Sequence, residues 1–265
     1  METGLDVRAL PSATLTFQNN GLTRLVTTRA YDALNRLTNI VSASNSVVYA
    51  AFAYGYNAAN QRTNVITADA SHWVYQYDKL GQVTSGKKYW SDGTAVAGQQ
   101  FDYAFDDIGN RQSTTRDTRT ASYTANLLNQ YSSRTVPGYV NVLGEATNAA
   151  TVTVWTQDGG FACERHDAYF RAEVTASNSA APEWLNLTNL AVLNNGTNAD
   201  LIATNTGNLF VAQTPETFQY DLDGNLTNDG RWLLTWDGEN RLVKLESQAA
   251  APTASKLKLE FVYDA

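Results

Sequence analysis

The stretch Tyr220-Asp221-Leu222-Asp223-Gly224-Asn225-Leu226-Thr227 sets a pattern that recurs along the chain. We number its eight positions one to eight and call it the turn motif. Position one is aromatic, position two is usually Asp or Asn, and position five is Gly or Asn. Positions one, two and five of the good copies are Tyr31, Asp32 and Asn35; Tyr56, Asn57 and Asn60; Tyr77, Asp78 and Gly81; Phe105, Asp106 and Gly109; Tyr220, Asp221 and Gly224; and Trp236, Asp237 and Asn240.

Each position of the motif has a physical reason. An aromatic residue suits a half-buried pleated surface, and the short Asp or Asn side chain can bond to the backbone two residues on. Gly and Asn accept positive φ at little cost, which fits a type I turn closed by a left-handed residue. Each copy therefore predicts strand, tight turn and strand. Tyr123-Thr124-Ala125-Asn126-Leu127 reads as a degenerate copy, and Tyr263-Asp264-Ala265 begins another.

The motif resembles the YD repeat of the RHS family, the bacterial relatives of the teneurins. The resemblance covers residues 27–137 and 216–265. It implies an all-β fold, in which β-hairpins form part of a spiralling β-sheet shell that encapsulates cargo or a toxin in bacterial surface or secreted proteins. It also implies an extracellular or cell-surface location, although the N-terminal residues lack the basic segment and apolar run of a signal peptide.

Composition agrees with a β-rich structural role. Charged residues make up 17% of the chain, below the usual quarter, and the net charge is −7. This acidic balance argues against nucleic-acid binding, and no apolar stretch is long enough for a membrane helix. The lone Cys163 cannot form a disulfide within the chain.

The motif is absent between residues 139 and 215, which predicts three parts: repeats over 1–138, an inserted module over 139–215, and repeats over 216–265. Strand-like runs at 150–155, 169–175, 185–190 and 209–212 alternate with turn signals such as Thr206-Gly207-Asn208. About five short strands of this kind predict a small β-sandwich. It loosely resembles the immunoglobulin-like modules of bacterial surface proteins. Pro137-Gly138 and Pro215 are the predicted hinges.

Patterns of known chemistry are incomplete in this sequence. Gly81 to Lys87 matches most of a phosphate-binding loop, but Lys88 stands where Ser or Thr would be needed. Asp221 to Asn225 places its glycine too early for a calcium loop, and Cys163 with His166 is half of a zinc site without a second half. We therefore predict no catalytic residue, metal or cofactor. A glycosidase carboxylate pair stays open because its spacing is three-dimensional.

Two tryptophans of the insert, Trp155 and Trp184, could stack on sugar rings, while core packing is the commoner role of Trp. They support an alternative function, in which the insert or the repeat loops bind glycans or a surface protein. The leading hypothesis remains a non-enzymatic segment of a shell. The family's toxin-associated proteins carry a self-cleavage motif that begins with Asp-Pro, and this sequence has no Asp-Pro pair, so the activity is not carried over.

The last strand-like run, Lys256 to Tyr263, is not followed by a turn and a return strand. We expect the chain to be a fragment whose partners are the remainder of the parent RHS polypeptide, or a second copy held through this C-terminal edge. We also expect Gly224→Val, at position five of a motif, to be far more destabilising than Gly93→Val in an inter-repeat loop.

Overall fold

The computed structural model describes residues 14–264. The chain divides into two compact units between Tyr103 and Ala104. The all-β prediction is confirmed, since the one helical element among the described residues is the 3-10 turn Thr253–Ser255. No helix within residues 14–264 is long and apolar enough to cross a membrane.

In the first unit, successive strands pair antiparallel in chain order. The strands are β1 (Thr14–Asn19), β2 (Leu22–Tyr31), β3 (Leu37–Ser44), β4 (Val47–Tyr56), β5 (Arg62–Thr67), β6 (His72–Tyr77), β7 (Val83–Tyr89) and β8 (Ala95–Phe105). The ladder between a motif's two strands shifts register at the aromatic residue, as it does between Ala30 and Tyr31. This bulge is the expected companion of a hairpin loop closed by a left-handed residue.

The first unit is a sheet without a closed hydrophobic core. Among its described residues, only Val65 and Val96 are buried apolar side chains. The ring centroids of Trp73 and Tyr75 lie 6.1 Å apart, and those of Trp73 and Phe101 lie 6.3 Å apart. Aromatic stacking along one face of the sheet therefore replaces a core.

The second unit contains two further runs of antiparallel strands that carry turn motifs. The first run is β9 (Arg111–Arg116), β10 (Arg119–Ala125), β11 (Tyr131–Arg134) and β19 (Glu216–Thr217). The second run is β20 (Gln219–Tyr220), β21 (Leu226–Asn228), β22 (Trp232–Trp236), β23 (Leu242–Ser247) and β24 (Lys258–Glu260). Strand β11 pairs directly with β19, so two strands far apart in the sequence are neighbours in the sheet.

The residues between β11 and β19 form two small sheets. One holds β12 (Tyr139–Glu145), β16 (Tyr169–Thr175) and β15 (Glu164–His166), in that order. The other holds β14 (Gly159–Ala162), β13 (Thr151–Thr156), β17 (Glu183–Leu193) and β18 (Leu201–Val211), in that order. Their facing side chains form a closed core of Val152, Val154, Phe170, Ala172, Val174, Leu185 and Val211. This segment has the core that the first unit lacks.

Two details of the sequence interpretation are wrong. Thr206-Gly207-Asn208 is not a turn, because these residues lie within the extended strand β18. The degenerate copy begins two residues later than expected: the turn starts at Asn126, and the left-handed residue is Asn129 with φ 61°. Gly93 and Gly224 both have positive φ, 85° and 87°, so the expected difference between their valine variants stays a prediction.

Candidate functional site: the stacked turn motifs

Within a turn motif, the residue at position two organises the loop through its side chain. In the first motif, Asp32 Oδ1 accepts hydrogen bonds from the backbone N–H groups of Leu34 (3.0 Å) and Arg36 (2.9 Å). The Asn35 N–H donates to the Asp32 carbonyl at 2.9 Å, and Asn35 has φ 61°. One carboxylate therefore satisfies the backbone donors that the tight turn leaves unpaired.

The same arrangement holds in the other motifs. Left-handed residues occupy position five in every motif among the described residues: Asn35, Asn60, Gly81, Gly109, Asn129, Gly224 and Asn240. The pKa values of Asp32 and Asp237 are lowered, first by the backbone N–H at position six. The side chain of Asn110 is the first cause of the lowered pKa of Asp106. At Asp221 burial opposes the shift, but hydrogen bonds from Asn225 outweigh it and lower the pKa.

Successive motifs are joined by a first type of hydrogen bond, from the aromatic side chain at position one to the carbonyl at position seven of the preceding motif. In the first unit, Tyr56 donates to Leu37 O at 2.7 Å, and Tyr77 donates to Arg62 O at 2.6 Å. In the second unit, Trp236 Nε1 donates to Leu226 O at 2.8 Å. Tyr220 and Tyr263 donate in the same way to Tyr131 O and Leu242 O. The aromatic residue thus has a polar function besides its packing.

A second type of bond runs from the side chain at position six to the asparagine at position five of the next motif. Arg36 Nη1 donates to Asn60 Oδ1 at 2.9 Å. Asn110 Nδ2 donates to Asn129 Oδ1 at 3.2 Å, and Asn225 Nδ2 donates to Asn240 Oδ1 at 2.7 Å. We call these two types of bond together the turn ladder. Its polar side chains hold each loop against the next.

The motif beginning at Ala125 shows how the ladder accommodates a missing aromatic residue. Ala125 occupies position one and has no group that could donate a bond to the preceding motif. The hydroxyl of Tyr131, at position seven, instead accepts from the backbone N–H of Arg111 at 2.9 Å. A tyrosine from a different position therefore supplies the contact.

The turn ladder of the second unit crosses the inserted module. Tyr220 donates to Tyr131 O at 3.1 Å, although the two residues flank the whole insert. A Cβ placed on Gly224 would lie 3.6 Å from Gln130 Nε2, so positions five and six of these motifs are also adjacent. Residues 139–211 thus leave the repeat array and return to it without interrupting the stack of turns.

The chain leaves and rejoins the array at a neck centred on Asn178, which is 3% exposed. Its side-chain amide donates to Val136 O (3.1 Å) on the outgoing segment and to Ala212 O (2.7 Å) on the returning one. Thr214 links the same segments, because its hydroxyl accepts from the Val136 N–H at 2.9 Å. A single buried side chain thus joins both crossings.

A charged pair lies at the point where β11 meets β19. Arg134 Nε donates to Glu216 Oε2 at 2.7 Å, and burial raises the pKa of Glu216 despite this partner. The turn that contains Gly230 also packs against Glu216, since a Cβ on Gly230 would lie 2.8 Å from Glu216 Cγ. The position at which the array resumes after the insert is therefore tightly packed.

Trp155 and Trp184 lie on one face of the four-stranded sheet, opposite to the face that carries Val154 and Leu185. Trp155 pairs with Thr188, and Trp184 lies four residues further along the same strand, at about 13 Å by strand geometry. Trp155 is 47% exposed and its ring covers Gly160, where a Cβ would lie 3.2 Å from the indole. The two rings share a surface but do not form one closed pocket.

The remaining sequence candidates are in structural positions. Gly81 is the left-handed residue of a turn, and the residues that follow it form β7, so the helix of a phosphate-binding loop is replaced by a strand. Cys163 is half-buried, and burial raises the pKa of its thiol. Within residues 14–264, no cluster of three or more His, Cys, Asp or Glu side chains could hold a metal ion.

Comparison with known families identifies part of the array. Residues 31–72, which include the first two turn motifs and the bonds between them, match the family model described as RHS Repeat. This segment of the chain is similar to the RHS repeat. The resemblance read from the sequence is confirmed for this segment, and the match covers β3, β4 and β5. No curated protein matches the chain.

Several solved structures are similar to the chain. A TcdB2-TccC3-Cdc42 crystal structure has 13% identity and a TM-score of 0.40, covering 92% of this chain and 12% of that one. A TcdB2-TccC3-TEV crystal structure has 13% identity and a TM-score of 0.39, covering 94% and 13%. A Photorhabdus luminescens Tc holotoxin pore structure has 13% identity and a TM-score of 0.38, covering 92% and 12%. This chain therefore spans a small part of the chains it resembles.

Sequence reasoning missed positions six and seven of the motif, and it missed Asn178. Position six carried a visible signal, because every good copy has a side chain with N–H donors there: Arg36, Gln61, Gln82, Asn110, Asn225 and Arg241. Position seven contributes a backbone carbonyl, which no side-chain pattern reveals. The burial of Asn178 depends on contacts with Val136 and Ala212, which are distant in sequence.

Proposed function

We propose that this chain is a non-enzymatic structural segment of an RHS-type β-shell, of the kind that encapsulates cargo or a toxin in bacterial surface or secreted proteins. The observation that carries the proposal is the turn ladder, which joins the motifs of the segment that matches the RHS repeat in the first unit and, in the second unit, joins motifs on both sides of the insert through Tyr131 and Tyr220. Such a device stabilises a wall of hairpins that can be extended one unit at a time.

The packing of the first unit supports this proposal. Exposed apolar side chains on a sheet mark surfaces that another protein segment can cover. In the middle of this sheet Ile66 and Val74 lie on one face and Phe52 on the other, and each is more than a third exposed. In this proposal, cargo or further strands of the parent polypeptide cover them.

The partners follow from the same reasoning. Leu259 on β24 is 45% exposed and Phe261 beside it is 39% exposed. Strands of the same parent polypeptide, or a second copy of the chain at this edge, would remove these side chains from water. Lys258 and Glu260 alternate with them and limit unspecific pairing.

The proposal is tested by protease protection in the natural polypeptide that carries this chain. A segment held inside a shell should resist a protease that digests the same segment when it is free. Combining Tyr56→Phe and Tyr77→Phe removes two bonds of the turn ladder and should expose the segment, whereas Tyr49→Phe, on an exposed strand residue, should not. Equal digestion in the intact protein and in the free segment would contradict encapsulation.

A second candidate function has its own observation, the shared outer face that holds Trp155 and Trp184. We propose that this face binds glycans by stacking sugar rings on exposed indole surface. A glycan array should show binding that Trp155→Ala abolishes and Trp90→Ala, in the repeat array, leaves unchanged. No binding by the intact chain would contradict this candidate.

A further inference from the structure

Strand β18 (Leu201–Val211) is the edge of the four-stranded sheet, and its outer side has no pairing strand among the described residues. Residues 201–209 are all exposed, with Leu201 57% and Ile202 66% accessible. In an antiparallel ladder the edge strand keeps a row of backbone N–H and C=O groups free to pair with another strand. Most natural edges are protected against such pairing.

The usual protections are missing from β18. It contains no charged residue, no proline and no register shift against β17 over eleven residues. The opposite edge of the same sheet, β14 (Gly159–Ala162), is four residues long. The edge at β24 carries Lys258 and Glu260. Strand β18 therefore differs from both as an open template for strand addition.

The sequence of β18 is self-complementary in one register. A two-fold axis normal to the sheet pairs two copies antiparallel and places residues of the same face opposite each other, so the axis must pass through a residue. With the axis at Thr206, apolar residues meet apolar ones in three pairs, Thr meets Asn in the fourth, and the fifth pairs Asn with Gly, which has no side chain. The pairs are Leu201 with Val211, Ile202 with Phe210, Ala203 with Leu209, Thr204 with Asn208, and Asn205 with Gly207.

The neighbouring registers fail this condition. An axis at Asn205 would place Ile202 opposite Asn208. An axis at Gly207 would place Thr204 opposite Phe210, and Asn205 opposite Leu209. Of these three registers, only the one at Thr206 places no polar side chain opposite an apolar one, which favours a second copy of the strand over an unrelated partner.

We propose that β18 pairs with β18 of a second copy of this chain about a two-fold axis at Thr206, joining two four-stranded sheets into one of eight strands. The contact requires neither the turn ladder nor the edge at β24. It would connect two shell segments through their inserted modules. The face that lines the sandwich core is continuous across the contact, because Leu185 pairs with Leu209, and Leu209 would in turn pair with Ala203 of the second copy.

The first test is sedimentation velocity of the whole chain over a range of concentrations. We expect a dimer that Thr206→Lys converts to a monomer, since two ammonium groups would stand directly opposite each other. Thr197→Lys adds the same charge in the exposed loop before β18 and should leave the dimer intact. A chain that is monomeric throughout, or a dimer that survives Thr206→Lys, overturns the proposal. If only Leu259→Lys dissociates the dimer, the two copies pair through β24 and the proposal is overturned.

The second test fixes the register by disulfide cross-linking in a Cys163→Ala background. Thr206→Cys should cross-link to itself, because the Cα atoms of directly opposite residues lie about 4.5 or 5.5 Å apart, within the Cα separation that a disulfide spans. Asn205→Cys and Gly207→Cys should each stay uncross-linked alone and cross-link when mixed. Gly207 tolerates a side chain, since no atom lies within 4 Å of a Cβ placed there. Self-cross-linking of Asn205→Cys, or none in the mixture, overturns the proposed register.

Discussion

Replacing Gly224 by Asn should stabilise the protein, although most substitutions at a glycine with φ 87° should destabilise it. Asn already occupies position five in other motifs, where its Oδ1 accepts a bond from position six of the motif before. At Gly224 the donor is in place, since Gln130 Nε2 lies 3.6 Å from the position of a Cβ. The acceptor is missing because glycine has no side chain. The substitution would add the absent rung of the turn ladder.

The magnitude follows from three terms. An exposed hydrogen bond contributes about 0.5–1 kcal/mol. Restricting the unfolded chain contributes about 0.4–1 kcal/mol when the native φ is compatible, and Asn tolerates the left-handed region better than other residues. Gly224→Ala gains no bond and meets strain of about 1–2 kcal/mol, and Gly224→Val meets about 1–3 kcal/mol. Stability should therefore fall in the order Asn, Gly, Ala, Val.

The assay is denaturant and thermal unfolding of these variants, in which 1 kcal/mol corresponds to about 2–4 °C for a unit of this size. Gly93→Asn is the matched control, because Gly93 has φ 85° and no atom within 4 Å of its Cβ position. Only Gly224→Asn should show the additional gain, and Gln130→Ala should abolish it. If Gly224→Asn is as destabilising as Gly224→Ala, the reasoning about position five is wrong.

Two further predictions concern the neck and the aspartates. Asn178→Ala should lower stability by about 1–3 kcal/mol in thermal unfolding, because the buried carbonyl of Ala212 and the partly buried carbonyl of Val136 lose their donor, whereas Asn186→Ala on the exposed surface should change little; equal effects would contradict the role of the neck. The lowered pKa values of Asp32, Asp106, Asp221 and Asp237 mean that these carboxylates stabilise the fold above their unfolded pKa, near 3.9, and that this stability is lost as pH falls through the lower folded values. The denaturant midpoint, measured from neutral to acidic pH, should therefore decrease once the pH falls below about 4. Asp32→Asn should make this decrease smaller, and a midpoint that does not depend on pH would contradict the prediction.

The turns could be read from the sequence because they depend on local chemistry. Positive φ at Asn35 and Gly109, and the hydrogen bonds of Asp32, follow from residues within one motif. The long exposed strand β18 could not be predicted, because Thr206-Gly207-Asn208 has the composition of a turn and its extended form depends on pairing with β17. Pairing energy from a neighbouring strand overrides local preference there.

The contacts between motifs were harder to predict than the motifs. The bond from Tyr220 to Tyr131 joins residues on both sides of the insert, and no local pattern indicates which motifs are neighbours. The turn at Asn126 departs from the predicted position because Tyr123 resembles the aromatic residue of the motif in sequence, whereas Ala125 occupies position one and Tyr131 supplies the lost contact. The replacement of the missing aromatic residue by Tyr131 becomes visible only when the positions of β9 and β11 in the structure are known.

In the second unit the turn ladder continues past the insert, which is looped out between β11 and β19. Arg134 and Glu216 are directly opposite each other in that antiparallel pair, so an Asn-Gly turn could join them in place of residues 135–215. Hydrogen exchange of the shortened chain is the most direct test. If the ladder is continuous, the amides of β10, β11, β21 and β22 should keep the protection they have in the full chain. Loss of protection throughout these strands would show that the repeats need the insert, and would contradict a continuous ladder.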